Sequence, residues 1–261
     1  MTEERDLDRR IAGLVDRAAS DGGESPIGRR RFLLAGGGTL GAALLAACGS
    51  PGPKSAQRIL NYAERKNESV ERVLFRHTSM DAAGKHALDA GNAFPSYFIA
   101  PSVPVWDAQT NGPWMLEVTG MVARPMRFSL ADLQRMPSVT QRINHYCVEG
   151  WQAIASWSGV RLRDVAAIVG ADPAARYVDF QSFDDGYHES WDIESATHPQ
   201  TLVAYGMNGA FLGAAHGGPA RIHSAVKLGY KNTKYLTRIV FMPVRNGGYW
   251  SDQGYEWYGG I

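Results

Sequence analysis

Residues 141–151 read Gln-Arg-Ile-Asn-His-Tyr-Cys-Val-Glu-Gly-Trp, and Ser-Trp-Ser-Gly-Val follows at 156–160. The β-favouring residues predict a strand over Thr140–Val148 that ends just before a glycine. An isolated cysteine is most often a buried, unreactive side chain. Cys147 instead stands at a strand end among aromatic and basic residues, a setting that can present a thiolate inside a shaped cavity. It is therefore a candidate nucleophile or a candidate soft metal ligand.

The sequence on either side of this segment predicts short strands mixed with short helices. Strands are predicted at Trp114–Gly120, Arg176–Phe183, Arg221–Val226 and Tyr235–Pro243, and helices around Ser69–His77, at Ala131–Met136 after the N-cap Ser129, at Leu162–Val169 and in part of Ser195–Met207. No Gly-x-Gly-x-x-Gly motif follows a strand and opens a helix, which disfavours a Rossmann unit. The pattern predicts an α+β fold of mixed short strands and helices.

The composition excludes several classes of protein. The 261 residues include 27 Lys+Arg and 26 Asp+Glu, and the formal charge of +1 gives no electrostatic case for nucleic-acid binding. The two cysteines are too few for a disulfide scaffold, a four-thiolate zinc site or an iron–sulfur cluster. A packed domain with one chemically specialised cysteine remains the simplest interpretation.

The N-terminal residues 1–47 predict an export signal. The run Arg-Arg-Arg-Phe-Leu at 29–33 resembles a twin-arginine signal, and the glycine-rich apolar stretch after it is too short for a stable spanning helix. Leu-Ala-Ala-Cys at 45–48 resembles a bacterial lipobox, which predicts a lipid on Cys48; an ordinary signal peptide with an incidental cysteine is the alternative. Residues 48–60 are predicted to form a flexible tether, and residues 61–261 the functional domain.

Three further segments accompany the Cys147 segment in a fixed order. They are Asp-Asp-Gly-Tyr at 184–187, His-Gly-Gly-Pro-Ala-Arg at 216–221 and Gly-Tyr-Lys-Asn-Thr-Lys at 229–234. Together they resemble the sulfite oxidase superfamily of molybdenum–molybdopterin oxidoreductases over roughly residues 90–258. Within it, the chain is most similar to exported bacterial catalytic subunits like the periplasmic methionine sulfoxide reductase. The resemblance implies a sulfite-oxidase-type fold and a molybdenum–molybdopterin cofactor.

The resemblance also implies roles for individual residues. Cys147 matches the protein ligand to molybdenum, for which a thiolate is a suitable soft donor. His145 is a candidate catalytic residue that lines the substrate pocket and donates a proton or hydrogen bond. The residues that match pterin contacts are Asn92, Tyr97, Phe98, Ser182, His216, Arg221, Asn232, Thr233 and Lys234. Close relatives often have threonine in place of Ser182 and asparagine in place of His216. Arg221 and Lys234 suit the phosphate of the pterin because one offers a bidentate fork and the other a point charge.

The implied reaction is oxygen-atom or two-electron transfer on a small-molecule substrate. Reduction of an S-oxide or N-oxide is favoured over sulfite oxidation, because the superfamily's full set of substrate-binding arginines cannot be matched. The chain has no Cys-x-x-Cys-His haem site, so a separate electron-transfer partner is implied, such as a membrane haem or quinol-linked protein. The expected location is the periplasm or the outer face of the cytoplasmic membrane, reached through the twin-arginine translocase, with a lipid anchor as the membrane attachment.

Two other functions remain open from the residues alone. One is a cofactor-free Cys–His enzyme that uses Cys147 with His145 or His216 as its base. The other is a non-catalytic surface lipoprotein. The aromatic and glycine-rich stretch 247–258 is expected to pack over the domain, with the rim of the active site as the alternative. Lys231 has either a solvated surface role or a place near the cofactor.

Overall fold

A computed structural model describes residues 54–75 and 94–261. The predicted export signal, Cys48 and Asn92 lie outside this part of the chain. None of the helices in the described ranges is long and apolar enough to cross a membrane. The chain divides into compact units 1–63 and 64–261, and the described part of the first unit is the start of one helix.

Five helices occur in the described residues. They are α1 (Lys54–Leu74), α2 (Ala108–Asn111), α3 (Leu130–Arg135), α4 (Leu162–Val169) and α5 (Ile193–Ala196), with single 3-10 turns at Ala214–His216, Gly229–Lys231 and Ser251–Gln253. Residues 54–60, which belong to the predicted tether over 48–60, are helical. Helix α1 also begins well before the predicted helix around Ser69–His77, and Glu68 and Arg72 form an ion pair at helical spacing near its end.

Ten strands form two sheets within the same ranges. The strands are β1 (Met115–Gly120), β2 (Met126–Ser129), β3 (Val139–Tyr146), β4 (Gln152–Arg161), β5 (Tyr177–Ser182), β6 (His188–Asp192), β7 (Leu202–Met207), β8 (Ala210–Phe211), β9 (Arg221–His223) and β10 (Leu236–Met242). The first sheet has the order β2-β1-β10-β5-β6, with β1 and β10 parallel. The second is antiparallel and runs β3-β4-β7, with β8 and β9 both paired to β7. Mixed sheets with a few short helices confirm the predicted α+β class.

The hydrophobic core lies against both sheets. Leu116 and Val118 alternate with less buried residues along β1, and they pack with Val165 and Val169 from the apolar side of α4. A second cluster, which includes Trp157 of β4, lies beside the strand that leads to Cys147. The core therefore fixes the two strands that carry the functional segment.

The segment Ser195–Met207, predicted to be helical only in part, is helical at Ser195 and Ala196, the end of α5, and forms strand β7 from Leu202 onwards. Asp192 caps the short helix α5, and the chain then enters β7, which pairs with β4 and β9. Pairing on both sides outweighs the local preference for helix. Strand β4 was not predicted either. Its Gly159 permits close strand approach, since a side chain there would collide with the backbone of Val203.

Two fully buried ion pairs connect β6 to the segment 224–234. Lys227 contacts Asp192 at 2.8 Å, and Lys231 contacts Glu189; all four side chains are completely buried. The surface role considered for Lys231 is therefore wrong, because its ammonium group needs the carboxylate that β6 provides in the interior.

Replacing Glu189 with glutamine is expected to lower the free energy of unfolding by about 3 kcal/mol, because it leaves the Lys231 ammonium buried without its counter-charge. Urea denaturation measures the change. Glu117→Gln is the matched control: Glu117 pairs with Arg238 at a solvent-exposed site, so its loss should cost less than about 1 kcal/mol. Equal losses of unfolding free energy for the two substitutions would contradict the importance of the buried ion pair between Glu189 and Lys231.

Candidate functional site

A cavity of about 320 Å³ opens where the turn after β3 meets five other segments of the domain. Of the residues that the sequence singled out, its lining includes Cys147, His145, Tyr97, Phe98, Ser182, Arg221, Asn232 and Lys234. His216 and Thr233 are not part of the lining; His216 contacts the edge of Phe94, and Thr233 is buried behind the surface. The structure thus brings together most of the residues predicted to act at one site.

Cys147 begins the tight turn that joins β3 to β4. Its N–H donates to Trp151 O at 2.9 Å, and the turn is closed by Gly150, whose φ of 88° suits glycine. The half-buried thiol lies 3.7 Å from Glu149 Oε2, and Trp151 Nε1 donates to the same carboxylate oxygen at 3.0 Å. Burial, with the Glu149 carboxylate adding to it, raises the pKa of Cys147. This environment disfavours a free thiolate, whereas a bound metal cation would stabilise one.

His145 is held in a stack of aromatic rings beneath the cavity. Its Nδ1 lies 3.3 Å from Nε2 of His223, whose ring stacks on Trp157 with centroids 4.0 Å apart. Burial and, to a lesser degree, the charges of Arg221 and Lys234 lower the pKa of His145 to about 3. The imidazole is therefore neutral at physiological pH. It can donate a hydrogen bond, but it neither acts as a charged acid nor provides a strong base for Cys147.

Arg221, which is buried, and Lys234, which is partly buried, place two cations at the cavity wall. Arg221 donates to His216 O at 2.9 Å and to Asn232 O at 3.1 Å, and Lys234 Nζ donates to Tyr97 O at 2.6 Å. Across the ranges 54–75 and 94–261, no carboxylate lies within ion-pair distance of either cation. Burial lowers the pKa of Arg221 to about 10 and, together with repulsion from Arg221, lowers that of Lys234 to about 7. Two neighbouring cations, one buried and one partly buried, with carbonyl partners form a site that an anionic group would stabilise.

The remaining predicted cofactor contacts divide into two groups. The Asn232 side chain accepts from Ser224 N at 2.7 Å and donates to Lys227 O and Leu228 O, so it shapes its own loop. In contrast, buried His216 Nδ1 and Thr233 Oγ1 have no hydrogen-bond partner among the described residues. Buried polar atoms in this state usually meet a ligand or ordered water. Unmet hydrogen-bonding capacity therefore remains in the loops that carry Arg221 and Lys234, outside the cavity lining itself.

Several cavity residues were not assigned a role from the sequence. Asp184 accepts from Ile99 N at 3.0 Å, and the Tyr187 hydroxyl donates to Tyr230 O at 2.6 Å. Asp184 and Tyr187 both lie in the Asp-Asp-Gly-Tyr motif, which was the available signal. In the aromatic C-terminal stretch, Trp250 and Tyr255 line the cavity, whereas Trp257 and Tyr258 are buried in the domain. That stretch therefore serves both as packing and as part of the cavity wall.

Adding a side chain at Gly229 is expected to lower kcat/KM by about tenfold or more. A Cβ there would lie 2.6 Å from His145 Nε2, which would displace the imidazole from the cavity wall. Steady-state kinetics and thermal denaturation of Gly229→Ala measure the effect. Gly213→Ala is the matched control, since no atom lies within 4 Å of the added methyl group. Unchanged kinetics of Gly229→Ala would show that the position of the His145 imidazole does not affect kcat/KM.

Comparison with known proteins gives consistent matches. The family model described as an oxidoreductase molybdopterin binding domain matches residues 101–250. A protein of Azospira oryzae, by name a candidate protein-methionine-sulfoxide reductase subunit YedZ1, is 36% identical over 89% of this chain and 87% of its own length. The protein-methionine-sulfoxide reductase catalytic subunit MsrP of Ralstonia nicotianae is 30% identical over 56% of this chain, which spans 49% of that protein. The crystal structure of the sulfane dehydrogenase SoxCD from Paracoccus pantotrophus gives a TM-score of 0.51 at 21% identity, over 55% of this chain and 41% of that one.

The matched family region contains Cys147, Arg221 and Lys234. The similarity to SoxCD concerns the fold, and it agrees with the sulfite-oxidase-type architecture that the motifs implied. The family model covers more than half of the chain, and the Azospira protein matches most of it. The chain therefore belongs to the oxidoreductase molybdopterin-binding domain family, as the resemblance to the sulfite oxidase superfamily implied, and it is a molybdopterin-dependent oxidoreductase.

Proposed function

We propose that the cavity holds molybdenum–molybdopterin, with Cys147 as the protein ligand to the metal and Arg221 and Lys234 as the partners of the pterin phosphate. The observation that carries this assignment is the pair of cations, buried Arg221 and partly buried Lys234, which have no carboxylate within ion-pair distance among the described residues and share a cavity with a half-buried thiol. A phosphate supplies the missing negative charge, and a soft metal suits the thiolate. His216 and Thr233 offer further polar atoms to the pterin from behind the cavity wall.

The assignment leaves distinct tasks for the residues of this chain. When bound, the cofactor supplies two-electron and oxygen-atom transfer chemistry. The aromatic walls, among them Phe94, Trp151 and Trp250, exclude water from the reacting centre. Neutral His145 donates a hydrogen bond to the oxygen of the substrate, and His223 fixes its ring orientation. Glu149 adds negative charge beside the sulfur of Cys147, through which the protein tunes the metal.

The substrate class that we propose is a small S-oxide, with N-oxides as the next candidate. The relatives from Azospira and Ralstonia carry names of methionine sulfoxide reductases, and the cavity wall is mostly aromatic and apolar, which suits a neutral, dipolar S-oxide with carbon substituents. The reaction consumes two electrons and two protons per S-oxide and yields a thioether and water. A separate membrane haem or quinol-linked protein supplies the electrons.

We further propose that the protein is exported in folded form by the twin-arginine translocase. The run Arg-Arg-Arg-Phe-Leu at 29–33 and the following apolar stretch support this route, and Leu-Ala-Ala-Cys supports a lipid on Cys48. The protein would then work in the periplasm or on the outer face of the cytoplasmic membrane. Mass spectrometry of the protein purified from the membrane fraction tests the route and the lipid together.

A reduced-dye assay tests the proposed reaction. Purified protein, expressed with its export signal intact, is supplied with a reduced viologen and with S-oxides, N-oxides or sulfite. We expect dye oxidation with S-oxides to be faster than with N-oxides, and sulfite with an oxidised dye to give no turnover. Rapid sulfite oxidation without S-oxide reduction would contradict the proposal. Turnover by protein that contains no molybdenum would instead support the cofactor-free Cys–His alternative.

A further inference from the structure

His223 is a fully buried histidine at the end of β9, and its imidazole is bonded to that of His145 at the cavity wall. Its Nε2 lies 3.3 Å from Nδ1 of His145. Its ring stacks on Trp157, with centroids 4.0 Å apart and planes 19° apart. Its other ring nitrogen, Nδ1, is buried without a partner among the described residues. The His223 ring is therefore fixed with Nε2 towards His145.

Both imidazoles are neutral, so a single proton lies between the two facing nitrogens. Burial lowers the pKa of His223 well below its ordinary value, as it does for His145. Within the described residues, no carboxylate forms an ion pair or a hydrogen bond with either ring. A hydrogen bond between two neutral imidazoles needs one N–H and one bare nitrogen. Either His223 Nε2 or His145 Nδ1 therefore carries the shared proton.

The surroundings of His223 favour the shared proton on its own Nε2. If His145 Nδ1 carried it instead, His223 would carry its proton on Nδ1, where a buried N–H would find no acceptor among the described residues. Buried N–H groups without an acceptor are rarer in proteins than acceptors without a donor. With the proton on His223 Nε2, only a lone pair is left without a partner at Nδ1.

The second nitrogen of His145, Nε2, then carries a proton and faces the cavity. His145 lines the cavity, and its Nε2 lies beside Gly229, another residue of the lining, where an added Cβ would come within 2.6 Å of it. The rings of Trp151 and Phe94 pack on this imidazole at centroid distances of 5.8 Å and 5.2 Å. Packing therefore holds the ring with Nε2 at the cavity and Nδ1 towards His223.

We propose that His223 is a positioning residue for the reaction: it donates Nε2–H to His145 Nδ1 and so keeps the proton of His145 on Nε2, at the cavity surface. The oxygen of an S-oxide accepts hydrogen bonds, and the opposite tautomer of His145 would turn a lone pair towards it. The pair of rings thus acts as a fixed hydrogen-bond donor. Its use in catalysis rests on the proposed S-oxide reduction, whereas the tautomer itself does not depend on the substrate.

Nitrogen-15 NMR of histidine-labelled protein measures the tautomer directly. Spectra are recorded at neutral pH on cofactor-loaded protein in its fully oxidised, diamagnetic state, and the His145 signals are identified by their loss in His145→Gln. In the parent, we expect both His145 and His223 to be protonated on Nε2 and bare on Nδ1. His223→Leu removes the donor and should give a mixture of His145 tautomers. His223→Gln offers an amide N–H in place of Nε2–H and should retain the parent tautomer.

The same variants separate positioning from packing. In the reduced-dye assay, His223→Leu should lower kcat/KM for an S-oxide at least about tenfold, and His223→Gln should restore it to within about threefold of the parent. His198→Leu is the matched control, since His198 is also a buried histidine and neither lines the cavity nor contacts the His145 ring. It should leave the His145 tautomer and kcat/KM unchanged.

A parent protein with the His145 proton on Nδ1, or with both nitrogens protonated, would overturn the proposal. This spectrum decides the matter even if His223→Leu does not fold. A folded His223→Leu variant that keeps the parent tautomer and the parent kcat/KM would overturn it as well. The expected tautomer in a parent protein that turns over no S-oxide would support the arrangement of the two rings and contradict the proposed function instead.

Discussion

Replacing Cys147 with serine is expected to lower S-oxide turnover by more than about a thousandfold, the scale of loss when a group at the reacting centre is removed. Cys147 is the free cysteine of the described residues, and its thiol lines the cavity between Glu149 and Trp151. A hydroxyl is a harder and much less acidic donor than a thiol, so it cannot replace the thiolate towards molybdenum. The reduced-dye assay measures the loss.

The fold should survive this substitution, which separates a role in the reaction from a role in packing. The thiol is only half-buried, and the turn is held by backbone hydrogen bonds from Cys147 N to Trp151 O and from Gly150 N to Cys147 O, which serine preserves. The melting temperature should therefore change by no more than a few degrees. Turnover within a factor of about ten of the parent enzyme would contradict the assignment of Cys147 to the metal.

Replacing Lys234 with methionine is expected to lower the molybdopterin content of the purified protein at least about tenfold. The loss of a charge-assisted hydrogen bond to a phosphate has this magnitude or more. Arg221→Met should have at least as large an effect, but it also removes donors to His216 O and Asn232 O and so threatens the loop itself. Lys234→Met also removes donors, to Tyr97 O and Ala215 O, but Lys234 is only partly buried whereas Arg221 is fully buried, so Lys234→Met is the cleaner test. Fluorescence of the oxidised pterin, released by denaturation, quantifies the cofactor.

Arg238→Met provides the matched control for the two cavity cations. Arg238 is a half-exposed cation paired with Glu117, and it does not line the main cavity. Its loss should leave the cofactor content unchanged. Equal cofactor content in Lys234→Met, Arg238→Met and the parent would show that Lys234 does not hold the phosphate.

The elements that the sequence predicted well are those whose local signals agree with their tertiary surroundings. Helix α4 was predicted with its observed bounds, because its apolar side has a helical period and Gly170 ends it with a φ of 65°. Helix α3 likewise begins after Ser129, which forms a capping box with Asp132. Strands β4 and β7 were missed because their stability comes from pairing with distant strands.

The site was predictable where the chemistry of a side chain suffices to identify it. The thiol of Cys147 and the charges of Arg221 and Lys234 could be recognised by residue type and order, and the structure brings them to one cavity. The support of His145 by His223 could not be predicted, since it depends on two strands that meet only in the folded chain. The buried position of Lys231 depends in the same way on Glu189 of a distant strand.

Molybdenum-edge X-ray absorption tests the central claim most directly. It counts the sulfur neighbours of the metal in the purified parent protein and in Cys147→Ser. If Cys147 joins the two dithiolene sulfurs of the pterin as a ligand, the parent should show one more sulfur neighbour than the variant. Folded parent protein without molybdenum, or the same number of sulfur neighbours in both proteins, would contradict the account.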